Sequence, residues 1–368
     1  MTEPVFNGRL GLLQRVLPSY RAPFFEALAA SCTGGLEVFA GQPRASEAIA
    51  TSQALQTAHL VPAKNIHILS TASPFYFCYQ RGLIDWLETW NPDALILEAN
   101  FRYLSSPAAI HWMRRRGRPV IAWGLGAPTA RGPLAWLRRA FLEQFDALIS
   151  YSRRGAEQYA ACLPHFPADK IFVAPNAATP APDGPLPVRT QSFAAQPLLL
   201  FVGRLQARKR LPALLKACAT LPEQLKPRLV IVGDGPQAES LRAAAREIYP
   251  AAEFIGARHG PELAAFFQAA DLFVLPGTGG LAVQQAMSYG LPVMVARGDG
   301  TQDDLVRPAN GWQIPPDDED ALSATLLTAL SDPARLRRMG AESYRIVADE
   351  INLQKMVTAF VDALNSTF

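Results

Sequence analysis

Two loops in the second half of the chain combine glycine with residues that can bind an anion. In the first loop, residues 203–210 read GRLQARKR, so Arg204 and Lys209 lie five positions apart just after an apolar run. An arginine binds one phosphate through two parallel donors, and a lysine adds a mobile point charge. Gly203 lets the chain leave the strand. These residues suit a phosphate-binding loop, with a solvated basic loop as the alternative.

The second loop, VGDGPQA, fits the dinucleotide-binding pattern G-x-G-x-x-A at Gly233, Gly235 and Ala238. Glycines of this kind open a helix whose first amides can bind an anion. A nicotinamide cofactor would require an acidic residue after the next strand, but Arg258 and His259 follow the run AEFIG. The motif therefore leaves open an oxidoreductase that uses NADP, although one glycine motif does not establish it.

Both loops belong to an alternation of short apolar runs and amphipathic helical patterns, which is typical of parallel sheets with crossover helices. The strands expected in the first half are RLGLLQ, GLEVFAG, KNIHIL, DALILEAN, PVIAWGLG, ALISYS and KIFVAPN. Those expected in the second half are PLLLFVGR, RLVIVGDG, AEFIGA, DLFVLPG and PVMVAR. The fold class is therefore α/β, with two doubly wound, Rossmann-like domains.

A change in composition separates the two domains. Residues 179–197 are rich in proline and alanine and show no periodicity, which predicts a linker. We expect an N-terminal domain at 1–178, a C-terminal domain at 198–345 and a final helical segment at 346–368. Parallel sheets bind ligands at the carboxyl ends of their strands, so a cleft between two such edges would hold the site.

The bulk composition is that of an ordinary folded protein, with 368 residues of which 49% are hydrophobic and 18% charged. Four separated cysteines without a CxxC motif indicate reduced thiols and a cytoplasmic protein. We see no signal peptide and no apolar run of the roughly 20 residues that a membrane span needs. The histidines have no metal-ligand spacing, and Asp318 and Asp320 precede a helical pattern. We therefore expect no metal and no other cofactor.

In order and spacing, several segments resemble the retaining glycosyltransferases of family 4. They are VGRLQARKR, VIVGDGP, LAAFFQAADLFVLPG, GLAVQQAMSYGLPVMV and NGWQIPPDDEDALSATL, which together cover residues from about 197 to 340. The resemblance implies a GT-B fold, in which two Rossmann-like domains face each other across a cleft and a C-terminal helix crosses back to the first. It also implies that Arg204 and Lys209 neutralise the diphosphate of a sugar nucleotide, and that Arg258 lies near the base.

The same resemblance draws attention to the turn between LFVLP and the helix that follows. Its residues Gly279, Gly280 and Leu281, preceded by Thr278, would bind the donor through backbone amides. The family has two glutamates eight positions apart around this turn, whereas this chain has Gly277 and Gln285. Gln285 keeps one acceptor oxygen for a ribose hydroxyl, or it is a polar residue on a half-buried helix.

The loss of both carboxylates bears on the reaction mechanism. A double displacement needs a carboxylate nucleophile next to the sugar carbon, and Gly277 cannot supply one. In the front-face route proposed for the family, the departing diphosphate itself takes the proton of the acceptor. The protein then has to stabilise charge on that diphosphate, and Arg204, Lys209 and the turn amides are retained for this purpose. An active, metal-independent transferase is the favoured interpretation, and an inactive homologue that binds nucleotide or a protein partner is the alternative.

The acceptor side is expected at the carboxyl ends of strands in the first domain. Glu98 at the end of DALILEAN is the candidate catalytic carboxylate, with a helix cap as the alternative role. Two further groups of residues follow predicted strands and are candidates for binding the acceptor: Asn100 and Arg102, and Gln14, Tyr20 and Arg21. Arg21 is a candidate for an anionic group, although a plain surface loop explains it equally well.

Residues 102–154 contain ten arginines against two acidic side chains, while the formal net charge of the whole chain is only +3. Interleaved aromatic and leucine residues make HWMRRRGRP and AWLRRAFLEQF candidate interfacial helices. Each basic group near an anionic leaflet contributes about 1 kcal/mol. This pattern favours loose contact with the inner face of a membrane, and hence a lipid-linked or polysaccharide acceptor, over nucleic acid. A soluble face with core aromatics is the alternative.

Overall fold

The computed structural model describes residues 4–47, 49–70, 73, 75–127, 133–279, 281–298 and 300–368. The chain divides into two compact units, one formed by Met1–Ala178 with Leu353–Phe368 and the other by Thr179–Asn352. Each unit is built around a parallel sheet, as the alternating pattern predicts. None of the described helices is long and apolar enough to cross a membrane.

In the described part of the first unit, seven strands form a parallel sheet in the order β3-β2-β1-β6-β7-β8-β9. Their bounds are β1 Leu10–Val16, β2 Leu36–Gly41, β3 His59–Pro62, β6 Ala94–Glu98, β7 Val120–Gly124, β8 Ala147–Ser150 and β9 Ile171–Val173. Most side chains of the central strands are buried on both faces, which is why these strands read as continuous apolar runs. The helices are α1 Ala22–Ala30, α2 Leu83–Trp90, α3 Ser106–Arg114, α4 Pro133–Leu142 and α5 Arg153–Cys162.

One predicted strand forms, but it does not belong to this parallel sheet. KNIHIL forms β4 Lys64–Ile68, which pairs in antiparallel fashion with β5 Phe77–Arg81 in a separate two-stranded ribbon. The parallel sheet takes instead the preceding residues His59–Pro62, which the sequence analysis missed. Exposed and half-buried residues alternate along β4, which is the pattern of a ribbon covered on one side.

In the described part of the second unit, six parallel strands follow the order β12-β11-β10-β13-β14-β15. They are β10 Leu198–Val202, β11 Arg228–Val232, β12 Ala252–Gly256, β13 Leu272–Leu275, β14 Val293–Ala296 and β15 Gly311–Ile314. The last strand was not predicted. The helices are α6 Leu211–Ala219, α7 Ala238–Ile248, α8 Gly260–Ala269, α9 Leu281–Ser288, α10 Thr301–Leu305, α11 Glu319–Leu330 and α12 Pro333–Asp349.

The borders of the units differ from those expected. The segment 179–197 belongs to the second unit, because Arg189 donates hydrogen bonds to the carbonyls of Phe267 and Tyr289 at 2.9 and 3.1 Å. Burial lowers the pKa of Arg189 to about 10, with a further contribution from Arg337. A side chain held in this way makes the segment part of the packed structure and not a free linker.

The final segment begins at Leu353 and not at 346, since α12 continues to Asp349. Its helix, α13 Leu353–Asn365, packs in the core of the first unit. The ring of Phe360 lies 4.8 Å from that of Phe24 and 4.9 Å from that of Trp123, in edge-to-face arrangements. The end of the chain therefore completes the core of the unit in which the chain began.

Candidate functional site

The order of strands in each sheet marks one position for ligand binding. Across the sheet of the second unit, successive strands of the chain are added on one side from β10 to β12 and on the other side from β13 to β15. The direction of winding therefore reverses between β10 and β13. In the first unit the same reversal lies between β1 and β6. Open α/β sheets bind ligands outside the carboxyl ends of the strands at such points. Of the predicted donor residues, Gly203, Arg204 and Lys209 lie in the loop after β10, and Thr278 and Gly279 lie in the turn after β13. Gln14 lies near the end of β1, and Glu98 ends β6.

The loop after β10 and the turn after β13 are hydrogen-bonded to each other. The amide of Thr278 donates to the carbonyl oxygen of Arg208 at 3.1 Å, and Nζ of Lys209 donates to the carbonyl oxygen of Thr278 at 2.6 Å. Nη1 of Arg208 lies 3.5 Å from both the carbonyl and the hydroxyl oxygen of Thr278. The structure thus brings Lys209 together with Thr278, and it adds Arg208, which the sequence analysis did not select.

Gly277 is required by this contact. A Cβ atom at position 277 would lie 2.5 Å from the Cα of Lys209 and would also overlap the carbonyl oxygen of Arg208. Both atoms belong to the backbone, so a side chain at this position would force the loop away from the turn. The glutamate that the family 4 resemblance implies at this position would not fit here, because glycine permits the close approach that brings Lys209 to the turn.

Lys209 is almost completely buried, with 7% of its surface exposed. Burial lowers its pKa from the usual value of 10.5 to about 8, and the neighbouring charge of Arg208 contributes in the same direction. A nearby negative charge would stabilise the ammonium form of Lys209, since an anion within a few ångströms favours the protonated state. Lys209 is consequently a group whose charge is stabilised by binding an anionic ligand.

The other predicted donor residues are more dispersed. Arg204 follows Gly203 directly after β10, and its side chain is exposed. Arg258 lies after β12, at the far edge of the sheet, where its Nε is 3.6 Å from a carboxylate oxygen of Glu262. Leu281 is the first residue of α9. Gly280 lies outside the described residues.

The glycine motif at residues 233–238 packs two loops together. A Cβ atom on Gly233 would overlap the carbonyl oxygen of Gly203, so this glycine allows the exits of β10 and β11 to touch. The amides of Gly233 and Gln237 donate to the carbonyls of Gly256 and Leu205, at 2.9 and 3.2 Å. Since these amides have partners within the protein, the motif is explained by packing and lends the NADP interpretation no support.

Gln285 is half-buried and lines a groove of about 380 Å³ with the segment 179–187 and Tyr344. Its neighbour Gln284 is fully buried and was missed by the sequence analysis. The side-chain Nε2 of Gln284 donates to the backbone carbonyl oxygen of Ile351 at 2.8 Å. Its Oε1 accepts from the backbone amide of Thr179 at 3.3 Å. Gln284 therefore links the first residue of the second unit to a residue near its end, which is a structural role.

In the first unit, Glu98 ends β6 and accepts a hydrogen bond from the backbone amide of Arg15 at 2.8 Å. Burial raises the pKa of this carboxyl group above its usual range. The alternative role as a helix cap is wrong, because the next helix, α3, begins only at Ser106. A carboxyl group with a raised pKa at the carboxyl end of a central strand is suited to accepting or holding a proton.

A buried ion pair next to Glu98 was not predicted. Nη1 and Nη2 of Arg15 donate to the two carboxylate oxygens of Glu47 at 2.9 and 2.8 Å, with only 13% and 12% of the two side chains exposed. Burial alone would lower the pKa of Arg15, but the hydrogen bonds with Glu47 raise it above the usual value. This pair holds the end of β1, from which the amide that binds Glu98 also projects.

The remaining acceptor candidates differ in how accessible they are. Gln14 is buried, and its carbonyl oxygen accepts from Gln80 at 3.0 Å. Tyr20 is exposed. Asn100 accepts from the backbone amide of Arg102 at 3.2 Å, and the guanidinium of Arg102 lies 5.8 Å from the ring of Phe101.

Arg21 is packed inside the first unit, with 5% of its surface exposed. Its guanidinium lies 5.2 Å from the ring of Trp123 and 5.0 Å from that of Tyr151, and it donates to Asn176 at 2.6 Å. Cation–π contacts and this hydrogen bond account for the group. The proposed contact with an anionic acceptor is therefore replaced by a structural role.

The arginine-rich segment presents one amphipathic surface. On α4, Trp136 is 67% exposed and Leu137 is 45% exposed, whereas Phe141 and Leu142 are buried. In HWMRRRGRP the aromatic residue Trp112 is buried, with the guanidinium of Arg116 only 3.7 Å from its ring. Arg131 lies outside the described residues. Of the two candidate interfacial helices, only α4 has exposed apolar side chains in the described structure.

The described residues contain no group of three or more His, Cys, Asp or Glu side chains that could hold a metal ion. Asp318 caps α11, because its carboxylate accepts from the amide of Ala321 at 2.8 Å. The acidic pair at 318 and 320 is therefore a helix start, as predicted.

Comparison with known proteins extends this picture. Residues 187–346 match the family model "Glycosyl transferases group 1". The chain is 35% identical over 143 residues to the sulfoquinovosyl transferase SQD2 of Arabidopsis thaliana. The aligned region covers 37% of this chain and 27% of that protein. It is 29% identical over 297 residues to a GDP-mannose-dependent alpha-mannosyltransferase of Mycolicibacterium smegmatis, covering 73% of this chain and 74% of that protein.

The chain thus spans about a quarter of the length of the first of these relatives. Among solved structures, that of HepE from Anabaena in complex with UDP is similar, with a TM-score of 0.69 and 16% identity over 97% of this chain and 99% of that chain. In fold, therefore, the chain is a GT-B protein, and its second unit contains a region that matches the group 1 glycosyl transferases.

Proposed function

We propose that the protein is a glycosyltransferase that moves a sugar from a nucleoside diphosphate sugar to a hydroxyl acceptor with retention of configuration and without a metal. The observation that carries the proposal is the position of Lys209. It is a buried cation, with Arg208 beside it, at the point where the winding of the second sheet reverses. The match to group 1 glycosyl transferases covers the same unit and supports the proposal.

In the proposed reaction, the acceptor oxygen forms a bond to the anomeric carbon while the bond from that carbon to the diphosphate breaks. The acceptor proton passes to the departing diphosphate, which carries the developing negative charge. Lys209 and Arg204 stabilise this charge, together with backbone amides of the turn. A buried cation is effective here because charge interactions are stronger where water is excluded. Glu98, in the first unit, is proposed to orient the acceptor hydroxyl.

The acceptor is proposed to be a lipid-linked or polysaccharide intermediate, used in the cytoplasm at the inner face of an anionic membrane. The exposed Trp136 and Leu137, with Arg138 and Arg139 beside them on α4, support this setting. An apolar surface flanked by cations is the pattern of a helix that lies in a membrane interface. The two transferases named above transfer different sugars, a sulfoquinovosyl group and mannose. The proposal therefore does not specify the donor sugar.

The proposal is tested first by thermal shift with UDP, GDP, ADP, dTDP and NADP. A ligand at 100 times its dissociation constant stabilises a protein by about 2.7 kcal/mol. We expect a rise in melting temperature with one nucleoside diphosphate, and a 100- to 1000-fold loss of turnover in Lys209→Ala, roughly the effect of removing one transition-state donor. Lys216→Ala, an exposed lysine of the same unit, is the control. A shift with NADP alone, or full turnover in Lys209→Ala, would refute the proposal.

A further inference from the structure

The turn after β13 and the loop beside it can provide a ligand with hydrogen-bond donors and positive charge, but with few hydrogen-bond acceptors. No acidic residue is present between positions 272 and 288, and the loop 203–210 contains four cationic residues and no acidic one. The carbonyl oxygen of Thr278 already accepts a hydrogen bond from Lys209. A glutamate cannot enter at position 277, since the backbone of residues 208–209 occupies the space. The hydroxyls of a neutral sugar donate hydrogen bonds and need such acceptors.

Arg208 is the exposed cation of this loop to which the proposed reaction gives no role, since Arg204 and Lys209 are assigned to the diphosphate. Lys209 is buried against the turn, and Arg210 forms an ion pair with Asp317 at 2.8 Å. Arg208 is exposed, its Nε donates to Gln206 at 3.0 Å, and its Nη1 lies at the turn, 3.5 Å from Thr278. Among the ion pairs of the described residues, none involves Arg208. Among the described residues, its Nη2 group has no hydrogen bond, and it lies beside the turn where we expect the transferred sugar.

We infer that the donor carries an acidic sugar, and that Arg208 binds its carboxylate. This inference rests on the proposed function and adds to it the chemical class of the transferred group. A planar guanidinium matches a carboxylate through two parallel hydrogen bonds, which an ammonium group cannot reproduce. With Lys209 engaged by the diphosphate, Arg208 serves the sugar, so the two neighbouring cations divide the two negative groups of one donor between them.

The experiment measures dissociation constants by calorimetry for donor pairs that differ only in the sugar acid. The pairs are UDP-glucose with UDP-glucuronate, GDP-mannose with GDP-mannuronate, and the glucose and glucuronate donors of adenosine and thymidine. They are compared in the wild type, Arg208→Gln, Arg208→Lys and the control Arg246→Gln, which removes an exposed charge on α7.

For the nucleotide base that the protein recognises, we expect the donor with the acidic sugar to bind at least about tenfold more tightly than the donor with the neutral sugar. One hydrogen bond between charged groups would give a difference of this size. Arg208→Gln should remove this preference, Arg208→Lys should keep part of it, and Arg246→Gln should keep all of it. Equal binding of both donors by the wild type overturns the inference. So does an equal weakening of the plain diphosphate and both donors in Arg208→Gln, which would place Arg208 on the phosphates. Absence of binding by any nucleotide would instead refute the proposed function, and this inference with it.

Discussion

At the scale of single residues, the properties of Lys209 follow from its surroundings and not from its type. The side chain is inserted between the loop after β10 and the turn after β13, where it reaches a backbone carbonyl but no carboxylate. Its charge is therefore only partly compensated before a ligand binds. This arrangement leaves both the protonation state of Lys209 and the affinity for an anion sensitive to pH.

The first prediction concerns this pH dependence. In the free protein Lys209 loses its proton as pH rises through about 8, so affinity for a nucleoside diphosphate should fall above that pH. The bound diphosphate raises the pKa of Lys209 again, so the affinity should fall by nearly tenfold per pH unit between the pKa of the free protein and that of the complex. Calorimetry between pH 7 and 9.5 checks it, with Lys209→Arg as the comparison, because an arginine keeps its charge throughout. A wild-type affinity that is constant over this range would contradict the assignment.

The second prediction concerns Gly277. Gly277→Ala should destabilise the protein by about 1–3 kcal/mol, the usual cost of overpacking, because the new methyl group meets the backbone of residues 208–209. Gly277→Glu should not raise turnover, although it restores a carboxylate. Urea unfolding and turnover assays measure the two effects, and Thr328→Ala, which changes an exposed side chain on α11, is the control. Higher turnover in Gly277→Glu would show that the turn yields to a side chain.

At the scale of elements, α4 differs from the other helices of the first unit in what it exposes. A helix on a parallel sheet normally turns its apolar side chains inward, as Phe141 and Leu142 do here. Trp136 and Leu137 point away from that core and have arginines next to them in the chain. An exposed tryptophan is costly in water and well placed at a membrane interface.

The third prediction follows from this surface. The double variant Trp136→Ser/Leu137→Ser should bind vesicles of anionic phospholipid several-fold more weakly than the wild type, because it removes the two exposed large apolar side chains described on α4. Turnover of a water-soluble acceptor should be unchanged. Co-sedimentation with vesicles measures binding, and Leu327→Ser on α11 removes an exposed leucine from the second unit as the control. Equal sedimentation of all three proteins would exclude α4 as the contact.

At the scale of the whole molecule, the chain leaves its first unit at Ala178 and returns to it at Leu353. The last helix fills the core of that unit, with Phe360 between Phe24 and Trp123. The stability of the first unit therefore depends on α13, which is separated in sequence from the rest of that unit by the whole second unit. The first unit is therefore built from two separate segments of the chain, whereas the second is one continuous segment, Thr179–Asn352.

The fourth prediction tests this dependence. Phe360→Ala should cost about 3–5 kcal/mol, as for other buried aromatic residues, and should lower the melting temperature of the first unit. The shift caused by a nucleoside diphosphate should persist, since its proposed site lies in the second unit. Phe368→Ala removes an exposed ring from the same segment and should have little effect. Comparable losses in the two variants would mean that α13 is not part of the core.

The sequence by itself determined the α/β class, most of the strands and the helix start at Asp318, and it located the loop after β10 that we propose to bind the diphosphate. These features depend on local patterns, because buried parallel strands read as apolar runs and helix caps have short signatures. The sequence also located Gly277, at the position where the resemblance to family 4 implies a glutamate. It could not assign a reason to that glycine, since the reason is contact with a segment about 70 positions away.

Only the tertiary structure decided what depends on neighbours that are distant in the chain. It turned a predicted linker into a packed segment held by Arg189, moved KNIHIL out of the parallel sheet, and buried Arg21 among aromatic rings. It also revealed Arg208 at the turn and the Arg15–Glu47 pair near Glu98. The physical reason is the same in each case: burial, pKa and hydrogen bonding are properties of a three-dimensional environment, and residue type and spacing alone do not determine them.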